Sequence, residues 1–541
     1  MSRTFQSSAL AVAVVAGWVS PAQAAAAKDA GVIEQLAAMQ VQLNQLGQRV
    51  AVLEGQVVQE RARADAAEAK ASNAMAEAQA ARAESAKLAA APPPKPAVDI
   101  AWKGAPEFTS KDGWSFKPRG RIHFDAGTIS TPGELAATTL GSRTRIRRAR
   151  LGFEGTVPGG VGYKVEADFA NGSVGFGDVL VSYTPKIVPM VVRVGNFETL
   201  NSMEQISSSN FVTFVERAAF NDAFTNARRL GLAIALKSKN DDLRGEAGLF
   251  AAHSIDSSLD NDGWIGAARV VYAPKALGGQ IHLGANFQYR DFASNIGGAA
   301  STGTAMPSTN QLARYRARPD SQLTDLRFVD TGSFAATSDR LVGVEASAIF
   351  KGLYLNGEAQ WLKANGYLAG ATASGLDSFA GANSAVVPTS DPGFFGAYGE
   401  VGYFLTGETR GYKRGDGTWA RTKVLKPLGK GGAGAFQIAL RYDYLDLSDD
   451  ALLNGLTNNF NTGSTSLAAA TSRLGRGGTQ STYLVGLNWY PIDYVRFMVN
   501  YGHVGVTGGP LAAQVLPTST LPVNQRDYSL ELLQTRLQID F

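Results

Sequence analysis

Apolar and polar side chains alternate along most of the chain from Trp114 onward. In the first such segment, Trp114, Phe116, Ile122 and Phe124 fall on one face. A period of two residues predicts β-strands, because successive side chains of a strand point to opposite faces of the sheet. The other face of this segment is polar and carries Lys117, Arg119, Arg121, His123 and Asp125.

About sixteen segments of this kind follow one another, and an even number of antiparallel strands is typical of a bacterial outer-membrane barrel. Short and long connections tend to alternate, which also fits a barrel with turns at one end and loops at the other. One connection, 407–432, is long where a short turn is expected. The segments begin near positions 114, 143, 161, 176, 189, 229, 243, 264, 279, 340, 352, 393, 434, 481, 493 and 526.

The last strand favours a barrel over a water-soluble β-sandwich, which would show the same alternation with its apolar face in a core. Leu533, Leu537, Ile539 and Phe541 face one way, and Phe541 is the final residue of the sequence. A terminal aromatic residue that closes an alternating strand resembles the signal read by the outer-membrane insertion machinery. We therefore expect an all-β fold, a 16-stranded antiparallel transmembrane β-barrel over 112–541, with its apolar face toward lipid and its charged face toward water.

The N-terminal region has a different period. Apolar residues recur every seven positions, as at Leu36 and Leu43 and at Met39 and Leu46, which predicts an α-helical coiled coil over 31–90. These recurring positions form a seam along one side of the helix. The alternative is a monomeric helical or disordered spacer, because alanine occupies many of the later seam positions and buries little apolar surface area.

Two further segments complete the domain organisation. Residues 1–24 combine Arg3, a short apolar run and Ala22-Gln23-Ala24, which predicts a secretory signal peptide rather than a membrane anchor. A membrane anchor would need about 18 to 20 apolar residues. Residues 91–111 begin with a proline-rich stretch and are predicted to form an extended linker.

The amino-acid composition limits the kinds of site that the protein can contain. Cysteine is absent, which excludes disulfides and thiolate metal sites, and the net charge of +4 gives little support for nucleic-acid binding. The four histidines lie in no nucleophile or metal motif, so the sequence predicts no enzyme, no metal site and no cofactor.

Several motifs carry a family resemblance. They are the arginine-rich stretch 147–155, the segments 163–169 and 192–197, and the run from Leu200 to Arg217. With these motifs, residues 112–541 resemble the phosphate- and polyphosphate-selective porins of the outer membrane, the O/P porins. The resemblance implies sixteen-stranded subunits assembled as trimers, with the third long loop folded into the lumen as the constriction.

The constriction departs from the family pattern at two positions. In phosphate-selective members a lysine follows the acidic residue of the loop motif, where this chain has Gln205, and Asn210 stands at the position of another lysine. We therefore expect a general or weakly anion-selective pore. The candidate constriction residues are Glu204, Gln205, Ser207, Ser208, Ser209 and Arg217.

If the apolar face points outward, a set of cations lines the lumen and offers forked donors to anions. The alternative is that these cations pair with carboxylates on neighbouring strands and hold the wall in shape. The candidate pore-lining residues are Lys117, Arg119, Arg121, Arg148, Arg150, Lys164, Arg193, Arg229, Arg441, Arg496 and Arg536.

These interpretations predict a protein of the bacterial outer membrane that contacts lipid, forms a homotrimer and carries a periplasmic coiled coil. A different functional class is structural, because the coiled coil could reach the peptidoglycan and tether the membrane, with the barrel as an anchor.

Overall fold

The computed structural model divides into two compact units, Met1–Lys95 and Pro96–Phe541. The predicted signal peptide, 1–24, and the whole proline-rich stretch, 91–96, lie outside the described residues. The structure describes residues 30–88, 98–170, 172, 174–224, 227–257, 262–292, 312–366, 386–457 and 473–541.

The first unit contains one continuous α-helix, Ala30–Leu88, of 59 residues. Val57, on the predicted seam, is 52 % exposed. The helix agrees with the predicted secondary structure, whereas pairing of helices in a coiled coil stays a prediction. Among the described residues, no helix is both long and apolar enough to cross a membrane.

The second unit is a closed barrel of sixteen antiparallel strands, as predicted. Each strand pairs with its neighbour along the chain, and the last strand pairs with the first from Leu532 opposite Ile129 to Asp540 opposite Arg121. The strands are β1 Ser115–Ile129, β2 Gly141–Val157, β3 Val161–Asp168, β4 Gly175–Tyr183, β5 Met190–Glu198, β6 Arg228–Lys237, β7 Leu243–Ala251, β8 Trp264–Tyr272, β9 Gly279–Asp291, β10 Phe334–Phe350, β11 Leu353–Gly366, β12 Gly393–Phe404, β13 Ala435–Asp446, β14 Thr479–Ile492, β15 Val495–Thr507 and β16 Asp527–Asp540.

The remaining elements are short and belong to the connections. The helices are Met203–Ile206, Ala219–Ala223, Asp450–Leu453 and Ala512–Val515, with 3-10 turns at Arg414–Asp416 and Val523–Gln525. The short strands are Lys275–Ala276, Leu312–Ala313, Arg316–Ala317, Val329–Asp330, Val386–Val387, Tyr412–Lys413, Thr418–Trp419 and Leu456–Thr457.

A hairpin precedes the barrel, and it corrects the predicted extent of the linker, 91–111. Strands Val98–Trp102 and Pro106–Ser110 pair with each other, and the second pairs with β1 through Phe108 opposite Phe116. Each strand has only five residues, which is too short for the alternation to stand out from the proline-rich segment before it. Pairing with β1 supplies the hydrogen bonds that two such short strands cannot provide alone.

The two faces of the barrel have the expected chemistry. On β1, Ile122 and Phe124 are 37 % and 45 % exposed, whereas Arg121 and His123, which alternate with them, are 5 % and 0 % exposed. Large apolar side chains therefore cover the outside and charged side chains fill the inside, the inverse of a soluble protein.

A β-bulge in the arginine-rich strand β2 changes which side chains point into the lumen. His123 pairs with Arg148 and Phe124 pairs with Ile146, so Arg147 is the extra residue. The bulge lets Arg147 reach into the lumen beside Arg148, because one inserted residue resets the alternation of side chains.

Candidate pore constriction

The long connection after β5 crosses the lumen and is held by the opposite wall. The backbone N–H of Val215 donates to Asn500 Oδ1 at 2.7 Å, and Arg496 donates to the carbonyl of Val212 at 2.6 Å. Arg536 donates to the carbonyl of Val215 at 2.5 Å. We call the described part of this connection, 199–224, the constriction loop, and its position agrees with the one that the family resemblance implies.

Arg441 on β13 is the central anchor of the constriction loop. Its Nη2 lies 2.5 Å from Glu204 Oε1 and 2.6 Å from Glu400 Oε2. The guanidinium also stacks on the rings of Phe214 and Tyr398, at 4.7 and 4.4 Å from their centroids. Glu204 and Arg441 are buried, so both serve to dock the loop and neither is open to a permeating solute.

The other predicted constriction residues divide into two groups. Ser207 is buried and accepts from the backbone N–H of Trp419 at 2.9 Å, while Arg217 donates to loop carbonyls, including that of Ser207 at 2.9 Å. Ser208 and Ser209 accept from Arg121 at 3.2 and 2.9 Å.

Gln205 lies at the edge of the lumen and donates to Glu198 at 3.0 Å. The Asn210 side chain contacts His123 Nε2 at 3.2 Å. Neither position therefore brings positive charge to the constriction.

The unusually long turn 405–434 also enters the barrel, from the end opposite the long loops. Asp416 in this turn lies 3.1 Å from Lys237 and 3.7 Å from Arg244 on the wall. Burial raises the pKa of Asp416, but the neighbouring cations, including Lys413, outweigh burial and hold that pKa below its ordinary value. The turn therefore stays fixed against the wall by its charged carboxylate.

A third inserted segment, 312–333, closes the lumen from the side of the long loops. Asp320 accepts from Thr482 Oγ1 at 2.6 Å, and its backbone carbonyl accepts from Gln534 at 2.8 Å. Arg318 Nη1 lies 3.3 Å from Asp222 of the constriction loop. The constriction loop and the segment 312–333 therefore meet inside the barrel and bound the space between them and the wall.

A cavity of about 250 Å³ lies between the constriction loop, the segment 312–333 and strands β1 and β2. Seven arginines and four carboxylates line it. The arginines are Arg121, Arg147, Arg148, Arg150, Arg217, Arg228 and Arg318, and the carboxylates are Glu198, Glu216, Asp222 and Asp320.

Most of these arginines form ion pairs with carboxylates. This agrees with the alternative interpretation of the charged face, in which cations pair with carboxylates on neighbouring strands. Arg121 and Arg150 both contact Glu166, at 2.8 and 2.9 Å. Glu216 lies 2.9 Å from Arg147 and from Arg536. Burial raises the pKa of Glu216, but these arginines outweigh burial and keep that pKa well below its ordinary value, so the carboxylate remains charged at neutral pH.

Two of the cavity arginines, Arg148 and Arg217, make no ion pair with a carboxylate among the described residues, and Arg217 donates instead to three loop carbonyls. Arg148 is 4 % exposed, and its Nε has no hydrogen-bond partner. Its Nη1 lies 3.5 Å from His123 Nδ1, which supplies no negative charge. A buried guanidinium without an acid is costly unless an anion can approach it.

The remaining predicted pore-lining residues lie on the wall and do not line this cavity. Lys117 donates to the carbonyl of Lys103 at 2.9 Å, and Arg229 donates to that of Arg228 at 3.1 Å. The paired cations are Arg119 with Glu154, Lys164 with Asp178, Arg193 with Glu246, and Arg536 with Asp125.

Sequence patterns missed Arg147 and Arg318 as cavity residues. Strict alternation places Arg147 on the face of the strand opposite to that of Arg148, and only the bulge brings it inside. Arg318 lies in a long loop without a period. An excess of arginine in 143–150 was the available signal for the first of these.

A closed barrel with an apolar exterior and a charged lumen narrowed by inserted loops defines an outer-membrane porin, a channel rather than an enzyme. A family model for phosphate-selective porin O and P matches residues 116–541, and the chain belongs to that family.

The chain is also similar to individual bacterial proteins. An uncharacterized protein of Caulobacter vibrioides is 34 % identical over 465 residues, covering 84 % of this chain and 80 % of the relative. Porin O of Pseudomonas aeruginosa is 26 % identical over 425 residues, covering 75 % and 86 %. Among solved structures, the outer-membrane channel DcaP of Acinetobacter baumannii is 12 % identical with a TM-score of 0.43, covering 80 % and 99 %.

Proposed function

We propose that this porin conducts small solutes with a weak preference for anions, including phosphate and other small oxyanions. The observation that carries the proposal is the cavity beside the constriction loop, where arginines outnumber carboxylates and Arg148 has no acidic partner among the described residues. Guanidinium groups replace the hydration shell of an anion as it passes a narrow segment.

Weak rather than strong selectivity is favoured by the pairing around the cavity. Arg121, Arg150 and Arg147 each already hold a carboxylate, so their charge is largely compensated. Neutral Gln205 and Asn210 add no cation at the constriction. A site with few free cations is expected to release its anion readily and to conduct.

The reversal potential of single channels in a planar bilayer tests this function. In a tenfold gradient of potassium chloride, we expect a potential of the sign that anion preference produces, with a permeability ratio of a few to one. Inorganic phosphate at submillimolar concentration is expected to leave the chloride current largely intact. Cation preference would contradict the anion proposal, and strong block by phosphate would contradict weak selectivity.

We also propose that the barrel assembles as a homotrimer in the outer membrane and that its last strand, ending at Phe541, is read by the insertion machinery. The N-terminal helix is proposed to lie in the periplasm and to pair with its copies in the trimer. Val57 and the alanines that follow on the same seam are exposed among the described residues of the helix, which supports pairing, because an apolar stripe of this spacing is covered when it packs against a partner helix. Contact with peptidoglycan would make the helix a tether.

Deletion of 31–90 separates the two roles. We expect conductance per trimer to be unchanged, because every contact of the constriction described above lies within Pro96–Phe541. Cells that carry the deletion are expected to leak periplasmic enzymes and to be sensitive to detergent. Replacement of 31–90 by an unrelated trimeric coiled coil of equal length is the control for trimer stability, and intact envelopes in the deletion strain would refute tethering.

A further inference from the structure

Two cations point outward from the barrel on neighbouring strands. Arg340 of β10 and Lys363 of β11 stand directly opposite each other in the antiparallel ladder, and both side chains are exposed. Within the part of the chain that the structure describes, neither makes a side-chain hydrogen bond or an ion pair. Like charges directly opposite each other on two strands repel, so the pair is unfavourable without an anion.

The height of this pair on the wall can be estimated from the strands. Arg340 lies ten residues before the end of β10 at Phe350, and Lys363 lies ten residues after the start of β11 at Leu353. Ten residues rise about 34 Å along a strand, or about 25 Å along the membrane normal at a tilt near 40°. That height matches the apolar band of an outer-membrane barrel, so the pair lies at the outer interface when the turn 351–352 lies at the inner one.

The wall between these two levels is apolar throughout. The outward residues of β10 and β11 below the pair are Val342, Val344, Ala346, Ala348, Leu355, Gly357, Ala359 and Trp361.

An aromatic belt marks the upper edge of this apolar wall. Trp361 packs on Phe395 with ring centroids 5.2 Å apart, and Tyr289 stands beside Arg340 in the ladder. Aromatic side chains concentrate at the boundary between hydrocarbon and headgroups.

Room for a headgroup exists beside the two cations. The residue opposite Lys363 on β12 is Gly393, which has no side chain that could cover the lysine. A Cβ added at Gly393 would meet no side chain within 4 Å.

We propose that Arg340 and Lys363 form a binding site for a phosphate group of a lipid headgroup in the outer leaflet. The two side chains place a planar forked donor and a point charge on one anion, while the acyl chains lie along the apolar wall below. Long basic side chains at this level keep their charges in the headgroup layer and their stems on the apolar surface. The site lies outside the lumen and is independent of the conducted solute.

Native mass spectrometry of the detergent-solubilised full chain tests the site, with bisphosphorylated lipid A as the probe. We expect wild-type protein to bind this probe at least tenfold more tightly than fully dephosphorylated lipid A. The double variant R340Q/K363Q is expected to lose at least tenfold in affinity for the bisphosphorylated form. Channel conductance should be unchanged in the same variant, because both residues face away from the pore.

The matched control is K186Q/K275Q, which removes two exposed cations from turns at the other end of the barrel. This control is expected to bind the probe like the wild type, and so is R340K/K363R, which keeps both charges. Equal binding of phosphorylated and dephosphorylated lipid A by the wild type would overturn the proposal without any variant. Unchanged affinity in R340Q/K363Q, or displacement of the probe by millimolar inorganic phosphate, would also overturn it.

Discussion

Replacement of Arg441 by glutamine is expected to release the constriction loop and to raise conductance markedly. In the wild-type protein one guanidinium neutralises both Glu204 of the loop and Glu400 of the wall. Without the guanidinium, the two buried carboxylates have no opposite charge beside them. Removing one partner of a buried ion pair costs about 3–5 kcal/mol of folding stability. Single-channel recording is expected to show larger and noisier openings. Heat-modifiable gel migration is expected to show that the variant barrel unfolds at a lower temperature than the wild type.

The matched control for this variant is Arg143→Gln. Arg143 is exposed and donates to the carbonyl of Thr139 at 3.2 Å, outside the constriction loop, so the same change of charge should leave the loop in place. Adding Glu204→Gln to Arg441→Gln is expected to recover part of the lost stability, because one of the opposed charges is then absent. Wild-type conductance and stability in Arg441→Gln would show that Arg441 does not hold the loop.

Replacement of Arg148 by glutamine is expected to reduce the permeability ratio of chloride to potassium about fivefold to tenfold. Arg148 is buried beside the cavity and has no carboxylate partner in the described chain, so its charge acts on a permeating ion directly. At an effective dielectric constant of about 20, a unit charge about 8 Å away changes the energy of an ion by about 2 kcal/mol, before screening by salt. Reversal potentials at low and high ionic strength measure this effect.

Two variants test the interpretation of that result. Arg148→Lys keeps the charge and is expected to retain the permeability ratio, whereas Lys186→Gln removes an exposed cation from a short turn and should not alter it. An unchanged ratio in Arg148→Gln would assign anion preference to other residues of the lumen.

Alternation predicted the wall of the barrel well because each strand repeats the same signal many times. Sixteen segments were expected and sixteen barrel strands are present, with Arg536 inside and Leu533 outside as expected for the last of them. The five-residue strands of the hairpin, such as Val98–Trp102, are too short to carry that signal. Their formation depends on pairing with β1, which periodicity does not reveal.

The contents of the lumen were predicted less completely. The family resemblance located the constriction loop and named Glu204, Ser207 and Arg217, but the sequence did not show that these residues hold the loop rather than face the solute. Which cations pair depends on contacts across the barrel, as between Arg441 and Glu204, 237 positions apart. A local sequence pattern cannot predict contacts between residues that are so far apart along the chain.

The anchors of the constriction loop also define an order in which this protein can fold. The loop precedes its partners along the chain, since Val215 is held by Asn500 and Arg536, which follow it by 285 and 321 residues. Closing loops of that length costs entropy, and contacts between such distant residues slow folding. The narrow opening is therefore expected to form last, after β16 has joined β1, so a newly inserted barrel passes through a wider, leakier stage before its selectivity is established.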